Sequence, residues 1–84
     1  MSKPMLRRGV RLSYDKTRGA HVLLFPEGVL VPNSTAVAVL ELCIGKLTVA
    51  EIALALRERY DGVREQDVAD IVNRLADRRV LEFR

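Results

Sequence analysis

Residues 20–36, AHVLLFPEGVLVPNSTA, decide the fold, because the hydrophobic period changes inside this stretch. Before Pro32, β-branched, leucine and aromatic residues are interrupted only by a Pro-Glu-Gly turn signal, which predicts two short strands. After Pro32, Asn33 or Ser34 provides a helix N-cap and the apolar residues recur at helical spacing. The order of elements is therefore strands first and helices afterwards.

Upstream of this stretch, residues 10–14 alternate between apolar and polar side chains, which is typical of a half-buried strand. A five-residue connection at 15–19, with Asp and Gly at its ends, suits a hairpin turn. Together with strands at 20–25 and 29–31, this predicts one small antiparallel sheet of three strands.

Three helices are predicted to follow the sheet. The first runs from the N-cap to Gly45, whose freedom to adopt positive φ suits a helix stop. The second begins at a capping box formed by Thr48 and Glu51 and ends near Asp61-Gly62.

The third predicted helix starts between residues 63 and 65 and ends with Arg78-Arg79. The spacing predicts that one apolar face of the three helices forms the core beneath the sheet, with Leu40, Ile52, Leu56, Val68, Ile71, Val72 and Leu75 as its members.

Residues 80–83 alternate again and are either a short closing strand or an apolar tail laid on the core. The fold class is α+β.

The length and the charge distribution of the sequence indicate its domain organisation. At 84 residues and 49% hydrophobic content, residues 1–84 are expected to form one domain around one core. Six of the basic residues and only one acidic residue fall within the first 18 positions, and we interpret residues 1–9 as a basic, flexible N-terminal arm. The sequence has neither a run of about 20 apolar residues nor a secretory signal, which predicts a cytoplasmic protein without a membrane span.

Residues for catalysis or metal binding are few. His21 is the only imidazole and Cys43 the only thiol, so no paired nucleophile and base and no metal-binding cluster is expected. No phosphate-binding glycine-rich loop is present. We therefore predict a protein that is not an enzyme, with no catalytic residues, no metal and no cofactor.

The second and third helices have the layout of a helix-turn-helix, so a winged-helix DNA-binding transcriptional regulator is the alternative. The exposed residues at the start of the third helix are Glu65, Asp67 and Asp70, whose charge has the wrong sign for phosphate. Nucleic acid is therefore not the expected partner. An exposed strand edge beside a helix favours binding of an extended peptide instead.

Four segments carry a family resemblance. They are LFPEG at 24–28, PNSTA at 32–36, LELCIGKLTVAEI at 40–52 and DVADIVNRL at 67–75. Their order and spacing, over about residues 10–81, resemble the pyrroloquinoline quinone (PQQ) biosynthesis protein D family, PqqD. The resemblance implies a winged-helix-like recognition element, a three-stranded antiparallel sheet followed by a three-helix bundle, as found in enzymes that modify ribosomally made peptides.

The resemblance also implies a function. PqqD-like proteins are peptide chaperones that bind the precursor peptide PqqA and present it to the radical SAM enzyme PqqE, which holds the iron–sulfur chemistry. The leader peptide of such systems lies along the third strand and against the third helix. This placement gives eight candidate peptide-binding residues: Val29, Leu30, Val31, Asp67, Asp70, Ile71, Arg74 and Arg78.

Two further expectations accompany the resemblance. Many relatives have a glycine near the end of the third helix, where this chain has Arg78-Arg79, so the helix stop needs another explanation. A short exposed strand can also pair with its own copy, which leaves a homodimer open.

Overall fold

A computed structural model describes residues 2–84. Its elements in chain order are β1 (Pro4–Leu6), β2 (Arg11–Asp15), β3 (Ala20–Phe25), β4 (Gly28–Leu30), α1 (Ser34–Leu40), α2 (Val49–Arg57), α3 (Glu65–Asp77) and β5 (Leu81–Phe83). Within these residues, no helix is both long and apolar enough to cross a bilayer.

Strands β2, β3 and β4 form an antiparallel sheet in that order, which confirms the predicted three-stranded sheet and the α+β class. The β2–β3 turn is closed by Asp15, whose carboxylate accepts a hydrogen bond from the Thr17 backbone N–H at 3.0 Å. A two-residue turn joins β3 to β4, with Phe25 and Gly28 as the closing pair. Gly28 has φ 150°, a conformation that favours glycine.

The interpretation of residues 1–9 as a flexible arm is wrong for Pro4–Leu6, while Met1 lies outside the described residues. This segment is β1, which pairs antiparallel with β5 in a separate two-stranded sheet. Pro4 is fully buried, and Lys3 exchanges two backbone hydrogen bonds with Arg84, at 3.1 and 2.9 Å. Burial of Pro4 and partial burial of Met5 and Leu6 order this segment, although the residues on either side of it are basic.

Helix α1 ends at Leu40, five residues before the predicted stop. The next backbone N–H groups, of Leu42 and Cys43, bond carbonyls only three residues back, so the helix tightens into a turn. Gly45 then donates its backbone N–H to the Pro4 carbonyl at 3.0 Å. The hydrogen bond between Gly45 and β1 therefore replaces the last turn of the predicted helix.

Helix α2 begins as predicted, with a complete capping box. The Thr48 backbone donates to the Glu51 carboxylate at 2.8 Å, and the Glu51 backbone donates to the Thr48 hydroxyl at 3.2 Å. These hydrogen bonds, led by the backbone bond from Thr48, lower the pKa of the Glu51 carboxyl. The helix ends at Arg57, earlier than the predicted Asp61-Gly62.

Helix α3 ends in a Schellman motif that uses no glycine. The Arg79 N–H donates to the Ala76 carbonyl and the Val80 N–H to the Leu75 carbonyl, both at 3.0 Å. Arg79 has φ 64°, in the left-handed region. Val80 is fully buried, which supplies the apolar contact that such a stop uses.

The core lies between the inner face of β3 and the three helices. Six of the seven predicted core residues are buried, and the seventh, Ile71, is only half-buried. Leu23 of β3 and Val39 of α1 are also fully inaccessible to solvent. Ile71 packs against the core but also reaches the surface, where it lines a cleft among the helices.

Candidate functional site

Strand β4 has a partner on one side only. It pairs with β3 and, within the described part of the chain, lies at the end of the sheet order. Val29 is 60% exposed and Val31, just after the strand, is 53% exposed. Apolar side chains on an open strand edge are the usual features of a site that accepts an added strand.

The side chains of α3 that were predicted to meet a peptide share one face. Asp67, Ile71, Arg74 and Arg78 recur at i, i+4, i+7 and i+11, which places them along a single stripe of the helix. Asp70 lies at the margin of this stripe, where its carboxylate accepts a hydrogen bond from the Gln66 side-chain amide at 3.0 Å.

The structure brings four of the eight predicted residues together in one groove. This groove, which we call the β4–α3 groove, is open and holds about 280 Å³. Its predicted members are Leu30, Val31, Arg74 and Arg78; its other lining residues are Leu23, Pro32, Asn33, Ala36 and Leu75.

Sequence reasoning missed the segment from Pro32 to Ala36 as part of the site. Its residues have a local role in ending a strand and starting a helix, with the Asn33 side chain accepting the Ala36 N–H at 2.8 Å. The position of this segment in the sequence could have indicated its role in the site, because it directly follows the open strand and must pass the same groove.

Two other predicted residues, Asp67 and Ile71, line a second cleft further along the same stripe. This apolar cleft holds about 380 Å³ and lies among α1, α3 and the end of α2. Val29 and Asp70 line neither hollow. The predicted set thus divides into a groove, an apolar cleft, one exposed strand residue and one marginal helix residue.

The two hollows differ in charge. Arg74 and Arg78 are the charged residues of the β4–α3 groove, and within residues 2–84 neither forms a salt bridge. The apolar cleft has Asp61 and Asp67 instead. The guanidinium of Arg64 donates to both oxygens of Asp67, at 3.1 and 3.2 Å, and this bonding lowers the pKa of that carboxyl.

The reactive side chains lie apart from the groove. Cys43 is buried and donates its thiol hydrogen to the Val39 carbonyl, at 3.3 Å between sulfur and oxygen. His21 lies on β3, with its ring 5.1 Å from that of Tyr14. Over the range that the structure covers, no three His, Cys, Asp or Glu residues are grouped so that they could hold a metal ion. What the groove offers is apolar contact, two guanidinium groups and backbone at a strand edge.

Comparison with known proteins identifies relatives that match most of the chain. The family model for Coenzyme PQQ synthesis protein D (PqqD) matches residues 20–81. A PqqA binding protein from Bradyrhizobium diazoefficiens is 41% identical over 90% of this chain and 74% of its own length. A bifunctional coenzyme PQQ synthesis protein C/D from Methylorubrum extorquens is 45% identical over 94% of this chain, which corresponds to 22% of that longer protein.

A solved structure agrees with both the fold and the family. It is the solution NMR structure of the PqqD truncation of Methylobacterium extorquens PqqCD, described as a stand-alone recognition element for ribosomally synthesised, post-translationally modified peptides. It is 46% identical, with a TM-score of 0.72, and the match covers 94% of this chain and 87% of that one. The chain therefore belongs to the PqqD family.

Proposed function

We propose that this protein binds the precursor peptide PqqA in the β4–α3 groove and presents it to the radical SAM enzyme PqqE. The observation that carries the proposal is that the open edge of β4 lies beside a groove lined by apolar residues and two arginines. Relatives of the chain are PqqA binding proteins. The peptide would add a strand to β4 and lay its side chains against α3.

In this proposal the chain binds and orients the peptide and leaves it chemically unchanged. The candidate groove offers no paired nucleophile and base, so the chemistry falls to the partner enzyme. Precursor peptides are made by ribosomes, which is the reason for placing the protein in the cytoplasm.

DNA binding is less well supported. The early exposed residues of α3 are Glu65, Asp67 and Asp70, and a recognition helix needs positive or neutral groups there. The basic residues of α3 lie at its other end, beside the groove.

The test uses the hydrogen-bond alternation of an antiparallel pair. Because Phe25 and Gly28 close a two-residue hairpin, they are expected to exchange hydrogen bonds, so the next pair, Leu24 and Val29, is expected not to. The Val29 N–H then faces the open edge, where an added strand would need it.

We therefore expect Val29→Pro to leave the domain folded but to weaken PqqA binding by tenfold or more, measured by calorimetric titration. Val29→Ala removes the exposed side chain but keeps the N–H, so it should bind within about threefold of wild type. Leu30→Pro should instead unfold β4, since Leu30 pairs with the buried Leu23. A folded Val29→Pro variant that binds PqqA as tightly as Val29→Ala would rule out strand addition at β4.

A further inference from the structure

Both tyrosines of the chain and its only histidine line one cleft outside the β4–α3 groove. Tyr14 comes from β2, His21 from β3 and Tyr60 from the turn after α2, so three separate segments converge. The cleft, which we call the aromatic cleft, holds about 370 Å³. Glu41, at the end of α1, contributes the one carboxylate among the residues that line this cleft.

The aromatic rings of this cleft are exposed rather than used in the core. Tyr14 is 54% exposed and Tyr60 is 47% exposed, although rings of this size usually bury most of their surface. The ring planes of Tyr14 and His21 meet at 75°, so the edge of one ring meets the face of the other. Tyrosine is over-represented at surfaces where proteins bind partners.

Charge identifies what the cleft can accept. No lysine or arginine lines it, and Glu41 forms no salt bridge with any residue of the described chain. An exposed carboxylate beside two tyrosine rings attracts a cation, both by charge and by the electron-rich ring faces. The Arg59 guanidinium lies 5.6 Å from the centre of the Tyr60 ring, a distance at which a cation and a ring face attract each other.

The aromatic cleft adjoins the β4–α3 groove. Pro32, the residue that ends the open strand, lines both hollows. A peptide that leaves the groove past Pro32 would therefore come next to the aromatic cleft. The groove contributes Arg74 and Arg78 and the cleft contributes Glu41, so the charge along such a path changes sign.

We propose that the aromatic cleft binds a lysine or arginine side chain of the peptide held in the β4–α3 groove. The inference rests on the proposed function, and it adds a requirement about the ligand. The bound peptide must place a basic side chain beyond the end of the strand-like segment, where the carboxylate of Glu41 and the rings of Tyr14 and Tyr60 receive it.

The experiment is a double-mutant cycle between the cleft and the peptide. Glu41→Gln and Tyr14→Ala are titrated with the PqqA peptide and with PqqA in which lysine is replaced by norleucine and arginine by citrulline. We expect each variant to bind the unmodified peptide about three- to tenfold more weakly than wild type, and to bind the neutral peptide with the same affinity as wild type. Glu58→Gln, which removes an exposed carboxylate outside the cleft, is the control and should change neither affinity.

The outcomes separate the two proposals. If wild-type protein does not bind PqqA, the proposed function is wrong and the inference falls with it. If wild type binds PqqA but folded Glu41→Gln and Tyr14→Ala behave like Glu58→Gln, the inference alone is wrong. Tyr14→Phe adds a check, because it keeps the ring and should retain most of the affinity that Tyr14→Ala loses.

Discussion

Arg79 occupies a backbone conformation that costs free energy for any residue with a Cβ atom. Its φ of 64° is required by the Schellman stop of α3, in which its N–H bonds the Ala76 carbonyl. Many relatives have a glycine near the end of this helix, and in this chain Arg79 adopts the left-handed conformation instead. The chain tolerates the left-handed conformation because the buried Val80 holds the turn in place.

Replacing Arg79 with Gly should therefore stabilise the protein by about 0.5–1 kcal/mol, since the relief of strain exceeds the extra freedom that glycine gives the unfolded chain. The measurement is the shift in the denaturant midpoint. Arg79→Ala is the matched control, because it removes the charge and keeps the Cβ atom. An equal gain from Arg79→Ala would assign the effect to charge and contradict the conformational explanation.

Cys43 differs from a reactive thiol by its burial. Desolvation raises its pKa from 9.0 to about 12, so at pH 8 the native thiolate is on the order of a thousandfold rarer than in the unfolded chain. We expect the native protein to react with a thiol reagent at least a hundredfold more slowly than protein in guanidinium chloride. Equal rates in the two conditions would show that Cys43 is accessible.

The same shift in the Cys43 pKa gives a direction for stability against pH. The folded pKa lies above that of the unfolded chain, so burial of the neutral thiol stabilises the fold below about pH 9. This contribution is lost as the pH rises from about 9 towards 12.

At the scale of elements, we call the two-stranded sheet of β1 and β5 the clasp, because it joins the two ends of the described segment beside the core. Pro4 is buried on β1 and Leu81 on β5, and the Arg7 N–H donates to the Val80 carbonyl at 3.0 Å. Gly45 has φ 79°, which favours glycine, and a Cβ atom there would lie 2.9 Å from the Arg84 side chain and 3.3 Å from the Met5 sulfur. The clasp is therefore fitted to the loop that follows α1.

Deleting residues 2–7 should lower the free energy of unfolding by about 2–4 kcal/mol, because it exposes apolar surface and removes the β1–β5 hydrogen bonds. Denaturant titration followed by circular dichroism measures the loss. Arg8→Gln, at an exposed position just beyond β1, is the control and should move the midpoint little. A deletion variant as stable as wild type would restore the interpretation of this segment as a free arm.

At the scale of the molecule, local signals predicted most elements, and tertiary contacts decided the rest. The capping box at Thr48, the turn at Asp15 and the apolar face of α3 are short-range features, and each was visible in the sequence. The pairing of β1 with β5 joins segments about 75 residues apart, which no local pattern specifies. The contact of β1 with Ile44 and Gly45 also ended α1 early, so one missed strand produced two errors.

The candidate site was predictable to the same degree. The family resemblance is confirmed, and it pointed to the strand and helix that form the β4–α3 groove. Arg74 and Arg78 were named because the resemblance places the peptide against the third helix, and helical spacing puts the two on one stripe. The division of that stripe between a groove and an apolar cleft depends on where α1 crosses, and the sequence does not specify a crossing point. Which of these residues contact a peptide stays a prediction.

The clasp has a topological consequence. Because the backbones of Lys3 and Arg84 are hydrogen-bonded to each other, the two ends of the described segment lie side by side. A short linker from Arg84 to Ser2 would join them, and a new opening at Thr17, in the exposed hairpin turn, would leave every strand and helix uncut. Such a circular permutant would keep all the native neighbours while changing the order of their synthesis. The fold would then depend on which segments meet and not on which segment the ribosome makes first.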